Sequence, residues 1–114
     1  MKIGFFSDVH ANLAALKAFQ EDIRKEKVDK LFFLGDVVGY GPNPNECLEI
    51  VCDISEVCLM GNHDYAALGL LDTTGFNQYA REAIEFTEKI LVDENKSKIS
   101  EFELEFEYDD FHLV

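Results

Sequence analysis

Basic side chains are scarce in this chain of 114 residues. Ten Lys and Arg stand against 23 Asp and Glu, and the formal net charge is −13. A protein that binds nucleic acid without sequence preference must neutralise phosphates with Lys and Arg, and a protein held on an anionic membrane surface needs the same charges. The composition therefore argues against both kinds of binding. A further interpretation is that some of the carboxylates surround divalent cations, which would offset their mutual repulsion.

Cysteines are also few, and long apolar runs are absent. Cys47, Cys52 and Cys58 are odd in number and include no Cys-x-x-Cys spacing, which argues against a disulfide framework or a zinc knuckle. Reduced, buried thiols are typical of a reducing compartment. No apolar run reaches 18 residues, and the N-terminal run is too short for a signal peptide. We therefore expect a cytoplasmic protein with a single domain over residues 1–114.

Three short apolar runs, at residues 3–6, 31–34 and 57–60, predict the strands of a parallel sheet. Each run is continuous rather than alternating, as is typical of strands that are covered on both faces. Helical patterns lie between the runs, with Asn12 as a candidate cap of the first helix and Asn43 as a candidate cap of the second. The order β-α-β-α-β predicts an α/β fold with right-handed crossovers.

The remaining segment predicts another helix and a C-terminal antiparallel strand pair. Apolar residues recur at helical spacing after Asn77, a candidate cap; they are Tyr79, Ala83, Phe86 and Ile90. Residues 93–100 are polar and indicate a loop. Residues 101–108 alternate strictly between glutamate and apolar residues, which predicts a half-solvated strand, and the apolar run at 111–114 predicts its partner.

Polar residues follow each of the three apolar runs after one small residue. Asp8 and His10 follow the first run, Asp36 the second, and Asn62 and His63 the third. The steps of 28 residues from Asp8 to Asp36 and 26 from Asp36 to Asn62 have the length of one β-α unit. Any one of these residues alone is typical of a turn. Because ligands bind at the carboxyl ends of parallel strands, all five together indicate one crevice and one site.

The chemistry of these five residues favours a metal centre. Two aspartates facing each other would repel, and divalent cations remove that repulsion. A mixture of carboxylate, imidazole and amide oxygen suits Mn, Fe, Zn or Co. Asp36 lies between the other two strand ends, so it is placed to bridge two ions about 3.5–4 Å apart, as two-metal hydrolytic sites require.

Three stretches resemble the first three motifs of the calcineurin-like metallophosphoesterases: SDVHANLAAL, GDVVGYGPNPNECLE and GNHDYAAL. The segments GYGPNPNE and FNQYAREAIEFT resemble those of a small bacterial and archaeal subgroup of predicted phosphoesterases. The resemblance covers essentially the whole chain. It implies the parallel βαβαβ core of an αββα sandwich, truncated to its N-terminal half. It also implies hydrolysis of phosphomonoesters or phosphodiesters by a metal-bound hydroxide at a dinuclear site.

The resemblance further implies a role for each metal ligand. Asp8 and His10 would bind the first of two divalent ions, drawn from Mn, Fe, Zn, Ni or Co. Asp36 would bridge both ions, and Asn62 would bind the second.

The resemblance also implies roles at the phosphoryl group. His63 would donate a hydrogen bond or proton near the leaving oxygen, and Asp64 would orient His63. Tyr40 and Asn45 lie in the loop after Asp36 and are weaker candidates for contact with a phosphoester small molecule or nucleotide.

The family's later histidine ligands, in Val-His-Gly and Gly-His-x-His settings, are not found here. The remaining histidine, His112, is predicted to be an ordinary strand residue. We therefore expect one ion or none in this chain, and impaired or absent catalysis. The alternative is a degenerate metal-binding or interaction module, or half of a split enzyme. Uncovered apolar residues predict self-association or a missing C-terminal half.

Overall fold

Three parallel strands form the central sheet of the computed structural model, which describes residues 1–114. They are β1 (Ile3–Phe6), β2 (Lys30–Phe33) and β3 (Val57–Cys58). The order is β1-β2-β3, with Gly4 paired to Leu31 in the first ladder. Because β2 is central, Phe32 and Phe33 are completely buried. The predicted parallel α/β core is confirmed, although β3 is two residues shorter than predicted.

Five helices surround or follow this sheet. They are α1 (Leu13–Glu26), α2 (Pro44–Ile54), α3 (Asn62–Ala67), α4 (Gln78–Ile90) and α5 (Asp93–Ser100). None of the five combines the length and the apolar character that a membrane crossing requires.

Two of the three predicted helix caps are confirmed. Asn12 accepts a hydrogen bond from the Ala15 N–H at 3.1 Å, and Asn77 accepts one from the Ala80 N–H at 2.8 Å. These bonds satisfy donors that a helix leaves free at its start. Asn43 precedes α2 but makes no such bond; its amide donates to the Glu46 carboxylate at 2.6 Å instead.

Most of the core lies between the sheet and the first two helices. Its members share near-complete burial; they are Leu16, Phe33, Val37, Val38, Cys47, Leu48 and Val51, together with Ala67, Leu91, Ile99 and Phe102 from later parts of the chain. Phe6 packs on this side of the sheet and stacks on Phe19 at 4.7 Å between ring centroids. This packing fixes the ends of β1 and β2 relative to each other.

The predicted loop at residues 93–100 is wrong, because this segment is helix α5. Its periodicity is weak since Ile99 is its only buried apolar residue. Tertiary contacts stabilise this helix instead. The side-chain oxygen of Asn45 accepts hydrogen bonds from the Val92 N–H at 3.0 Å and from the Asn95 side-chain amide at 2.8 Å. The side-chain NH2 of Asn45 donates to the Ile90 backbone carbonyl at 2.9 Å.

The long alternating strand predicted at residues 101–108 is also shorter than expected. Only β4 (Phe106–Tyr108) is a strand, and it pairs antiparallel with β5 (Phe111–Leu113). Phe102 lies in the core, whereas Leu104 is 60% exposed. The alternating pattern does not form one long strand, because its apolar residues pack in different places. Phe102 packs with the helices, while Phe106 and Tyr108 pack against Phe32.

The C-terminal strand pair itself is confirmed, and His112 is one of its residues, as predicted. The His112 ring nitrogen Nε2 lies 2.9 Å from the Glu105 carboxylate on the exposed side of this pair. Glu105 is therefore an ordinary solvated partner of a strand residue.

Candidate metal centre

The ends of β1 and β2 continue side by side beyond the sheet. The Asp8 N–H donates to the Gly35 carbonyl at 2.9 Å, and the His10 N–H donates to the Asp36 carbonyl at 3.0 Å. This pairing brings one ligand atom from each of Asp8, His10 and Asp36 within 4.8 Å of the others. The convergence that the sequence predicted for these three residues is therefore present in the fold.

The backbone at these strand ends is unusual. Seven residues other than glycine have positive φ angles, and five of them lie in or beside the candidate centre: Asp8 (59°), His10 (48°), Ala11 (56°), Asp36 (64°) and Tyr40 (63°). Such left-handed conformations are uncommon for residues with a side chain and concentrate at functional sites, where surrounding bonds hold them. The fold thus concentrates its unusual backbone where the ligand atoms meet.

One ring nitrogen of His10 is fixed by the backbone and the other is free to bind a metal. Nδ1 lies 3.0 Å from the Val38 carbonyl, so the proton is assigned to Nδ1. Nε2 then carries the lone pair, and it lies 3.3 Å from the Asp8 carboxylate. A carbonyl that holds the second nitrogen of a histidine ligand is the usual arrangement at metal centres.

The two carboxylates of the cluster have distinct surroundings. The Ser7 hydroxyl donates to Asp8 and holds the pKa of Asp8 below its usual value despite partial burial. One oxygen of Asp36 accepts the His63 backbone N–H at 3.0 Å, which leaves the second oxygen available. An ionised carboxylate, a free imidazole lone pair and a second carboxylate in one place fit a divalent ion of the Mn, Fe or Zn type.

The third strand end approaches Asp36 closely because residue 61 is glycine. A Cβ atom at Gly61 would collide with both the carboxylate and the backbone nitrogen of Asp36. The φ angle of Gly61 is −86°, so close approach rather than backbone conformation requires the glycine here.

Asp64 binds the backbone of the neighbouring strand end. Its carboxylate is completely buried and accepts four N–H groups: Asp36 at 2.8 Å, Val37 at 2.9 Å, Val38 at 3.3 Å and Gly61 at 3.0 Å. Burial raises the pKa of Asp64 to about 6, and the Gly61 and Asp36 N–H groups oppose that rise.

These bonds correct the role expected for Asp64, which does not orient the His63 ring. Residues 63 and 64 are successive positions of α3, and a helix turns by about 100° per residue. The two side chains therefore point in different directions, and Asp64 reaches back to the start of its helix and across to the loop after β2.

The His63 ring is 8% exposed and lies against other rings. The centroids are 4.7 Å from His10, 5.1 Å from Tyr40 and 5.1 Å from Phe76. Its Nδ1 atom is buried without a hydrogen-bond partner. Burial lowers the pKa of His63, and the charge of Asp36 opposes that effect. The imidazole beside the candidate ligands therefore favours its neutral form more than a free imidazole does.

The other predicted site residues differ in their surroundings, and Tyr40 is the one that shares a cavity with Asp8 and His10. Tyr40 is half exposed and lines a cavity of about 500 Å³ together with Asp8, Val9, His10, Asn12, Gly41 and Pro42. Asn62 is exposed at the first position of α3. Asn45 is not in this cavity, since its side chain joins α2 to the segment from Ile90 to Asn95. Phe76 also lies against His63 but belongs to none of the three motifs, and its only signal in the sequence is its place in the FNQYAREAIEFT stretch.

The sequence matches the family model described as calcineurin-like phosphoesterase over residues 1–111. An uncharacterized protein of Methanocaldococcus jannaschii is 46% identical over 93 residues, which cover 82% of this chain and 38% of that protein. A symmetrical bis(5'-nucleosyl)-tetraphosphatase of Actinobacillus succinogenes is 36% identical over 67 residues, which cover 56% of this chain and 24% of that protein.

Solved structures share the fold. A metallophosphoesterase from Sphaerobacter thermophilus superposes with a TM-score of 0.82 at 39% identity, over 98% of this chain and 45% of that chain. A hypothetical protein from Pyrococcus horikoshii superposes with a TM-score of 0.77 at 19% identity, over 90% and 48%. The chain therefore spans less than half the length of each of these relatives.

The substitution Asp64→Asn tests the bonds between the second and third strand ends. An asparagine replaces one acceptor oxygen by an NH2 donor that faces backbone N–H groups, so we expect the free energy of unfolding to fall by at least about 2 kcal/mol. Urea unfolding followed by circular dichroism measures this change. Asp72→Asn is the matched control, because Asp72 is exposed and accepts the Thr74 N–H in a surface turn. Equal losses in the two variants would contradict the role assigned to Asp64.

Proposed function

This chain belongs to the calcineurin-like phosphoesterase family, and on that premise we propose that it takes part in the metal-dependent hydrolysis of a phosphoester. The main observation in support of the proposal is the convergence of Asp8, His10 and Asp36 beside the ring of His63. The proposed substrate is a phosphomonoester or phosphodiester of a small molecule or nucleotide. The tetraphosphatase relative supports a nucleotide as one member of that class.

The proposed ligands of the first ion are Asp8, His10 and Asp36. Asp36 and Asn62 are proposed to hold a second ion, with Asp36 shared between the two. Manganese, iron, zinc, nickel or cobalt suits this mixture of oxygen and nitrogen ligands. When bound, such ions lower the pKa of a coordinated water and neutralise charge on the phosphoryl group.

His63 is proposed to donate a hydrogen bond or proton to the phosphoryl group or the leaving oxygen. Its place beside His10 puts it at the edge of the ligand cluster, and its burial keeps it away from bulk water. Tyr40 is proposed to contact the substrate, because it lines the cavity that contains Asp8 and His10. Asn45 remains the weaker candidate for substrate contact, because its side chain is hydrogen-bonded to the Ile90 carbonyl and the Val92 N–H.

A second candidate function is a metal-binding module without catalysis. The observation that favours it is that the cluster of carboxylate and imidazole ligands has three members, all from the first two strand ends. Three ligands are enough to retain one divalent ion when water fills the open positions, while two-metal hydrolysis requires more.

Substitution of the three proposed ligands tests metal binding. We expect Asp8→Asn, His10→Gln and Asp36→Asn each to weaken Mn²⁺ binding, measured by isothermal titration calorimetry. Loss of an outer hydrogen-bond partner already costs about 10- to 100-fold in metal affinity, and loss of a direct ligand should cost at least as much. Asp53→Asn is the control, because Asp53 is an exposed carboxylate on α2. An Asp53 variant that binds as weakly as the others would contradict the proposed centre.

Hydrolysis of p-nitrophenyl phosphate and bis(p-nitrophenyl) phosphate with Mn²⁺ tests the catalytic proposal. We expect His63→Ala to lower kcat by about 10²- to 10⁴-fold, the usual contribution of a positioned proton donor. Mn²⁺ affinity should stay unchanged, because the backbone N–H that binds Asp36 remains. Metal binding with no turnover above free Mn²⁺, in the wild type and the variant alike, would instead favour the module without catalysis.

We also propose that a second copy, or a further segment such as the longer relatives contain, covers an apolar surface at the β1 edge of the sheet. Phe5 is 41% exposed, Phe111 is 48% exposed, and their ring centroids lie 5.9 Å apart. An open strand edge beside exposed aromatic rings favours association. We expect light scattering to find a dimer or larger assembly that Phe111→Ser weakens. A monomer at all concentrations tested would count against self-association.

A further inference from the structure

The side chain of His63 lies in place without any hydrogen bond. Its Nδ1 atom is buried and has no partner, and Nε2 forms no hydrogen bond with the protein. Catalytic and metal-binding histidines are usually oriented by a carboxylate or carbonyl at one nitrogen. Asp64 does not supply that contact, because backbone N–H groups occupy its carboxylate. Another feature must therefore determine which way the His63 ring points.

Aromatic side chains contact the ring from two separate loops. Tyr40 belongs to the loop after β2, and its ring is tilted by 39° against His63 at 5.1 Å. Phe76 belongs to the segment before α4, and its ring is tilted by 38° at 5.1 Å. These centroid distances are those of favourable aromatic pairs, whose energy depends on orientation as well as on area. We call Tyr40 and Phe76 the aromatic pair.

The backbone of the first loop completes the enclosure. Gly39 has a φ angle of 92°, and a Cβ atom at this position would contact Nδ1 of His63 at only 2.5 Å. The glycine backbone therefore lies directly against the unpartnered nitrogen. Tyr40 follows with a left-handed φ of 63°, so both residues of this turn have uncommon conformations where they meet His63.

The second loop has its own support. The Phe76 N–H donates to the Thr73 carbonyl at 2.9 Å, and α4 begins two residues later under the Asn77 cap. Phe76 is thus attached to a helix start rather than to a free loop end. Its ring is half-buried, whereas the nearby Tyr79 is 80% exposed.

We propose that Tyr40 and Phe76 are positioning residues for His63, which they hold by ring packing in place of a hydrogen bond. The inference rests on the function proposed above for His63. Its consequence is that Nδ1 stays against Gly39, so Nε2 is the nitrogen left to act on a phosphoester. On this proposal, two aromatic residues orient His63, the role that the family resemblance implied for Asp64.

Proton NMR of the imidazole C–H groups tests this proposal without requiring activity. The chain has three histidines, and His63→Gln identifies the His63 signals by their loss. Spectra at about pH 8.5 keep an ordinary imidazole neutral. We expect Phe76→Leu and Tyr40→Leu each to weaken the nuclear Overhauser contact between the His63 ring protons and the Gly39 α-protons, because the ring no longer keeps its orientation against Gly39. Phe76→Tyr should restore this contact, and Tyr79→Leu should leave it unchanged.

Turnover of bis(p-nitrophenyl) phosphate provides the second readout. Misplacement of a catalytic group by about 1 Å can cost about 100-fold in rate. We therefore expect Phe76→Leu to lower kcat by up to about 100-fold with KM unchanged, and Phe76→Tyr to recover it. Circular dichroism melting of each variant confirms that the fold is retained.

A His63–Gly39 contact that stays unchanged in folded Phe76→Leu and Tyr40→Leu variants would overturn the proposal, and so would a weakened contact with an unchanged kcat. Absence of wild-type turnover is a separate outcome. It would remove the proposed function, while the NMR comparison would still decide whether the aromatic pair holds the ring.

Discussion

The buried carboxylate of Asp64 is the contact on which the candidate centre depends. It accepts backbone N–H groups from Asp36, Val37 and Val38 on one side and from Gly61 on the other. These bonds join the second strand end to the third. Hydrogen bonds to a charged acceptor are about twice as strong as neutral ones, and burial makes each of them costly to lose. The position of Asp36 therefore follows from a residue that binds no metal itself.

Uncommon backbone conformations at the strand ends make such bonds necessary. Left-handed residues other than glycine each cost roughly 1–3 kcal/mol and persist only where neighbouring structure fixes them. Asp8 and His10 are held by the carbonyls of Gly35 and Asp36, and Asp36 is held by Asp64. The protein's own bonds thus hold the candidate ligands together, an arrangement that would lower the ordering cost of binding an ion.

Features that recur along the chain, namely the apolar runs and the polar residues that follow them, were predictable from the sequence. Continuous apolar runs indicated the buried strands, and the similar steps of 28 residues from Asp8 to Asp36 and 26 from Asp36 to Asn62 indicated one edge of a sheet. Parts that depend on contacts between distant residues were not predictable. Helix α5 depends on Asn45, some 50 residues away, and Phe76 meets His63 only through the path of the loop before α4. Asp64 was assigned the wrong partner because adjacency in sequence does not mean adjacency on a helix.

We propose that the ends of the first two strands form one metal centre. Anomalous X-ray diffraction from crystals of this chain soaked in Mn²⁺ tests this most directly. We expect an anomalous peak bound by Asp8, by Nε2 of His10 and by Asp36. A peak elsewhere, for example among the glutamates of residues 101–107, with none at these strand ends, would contradict it.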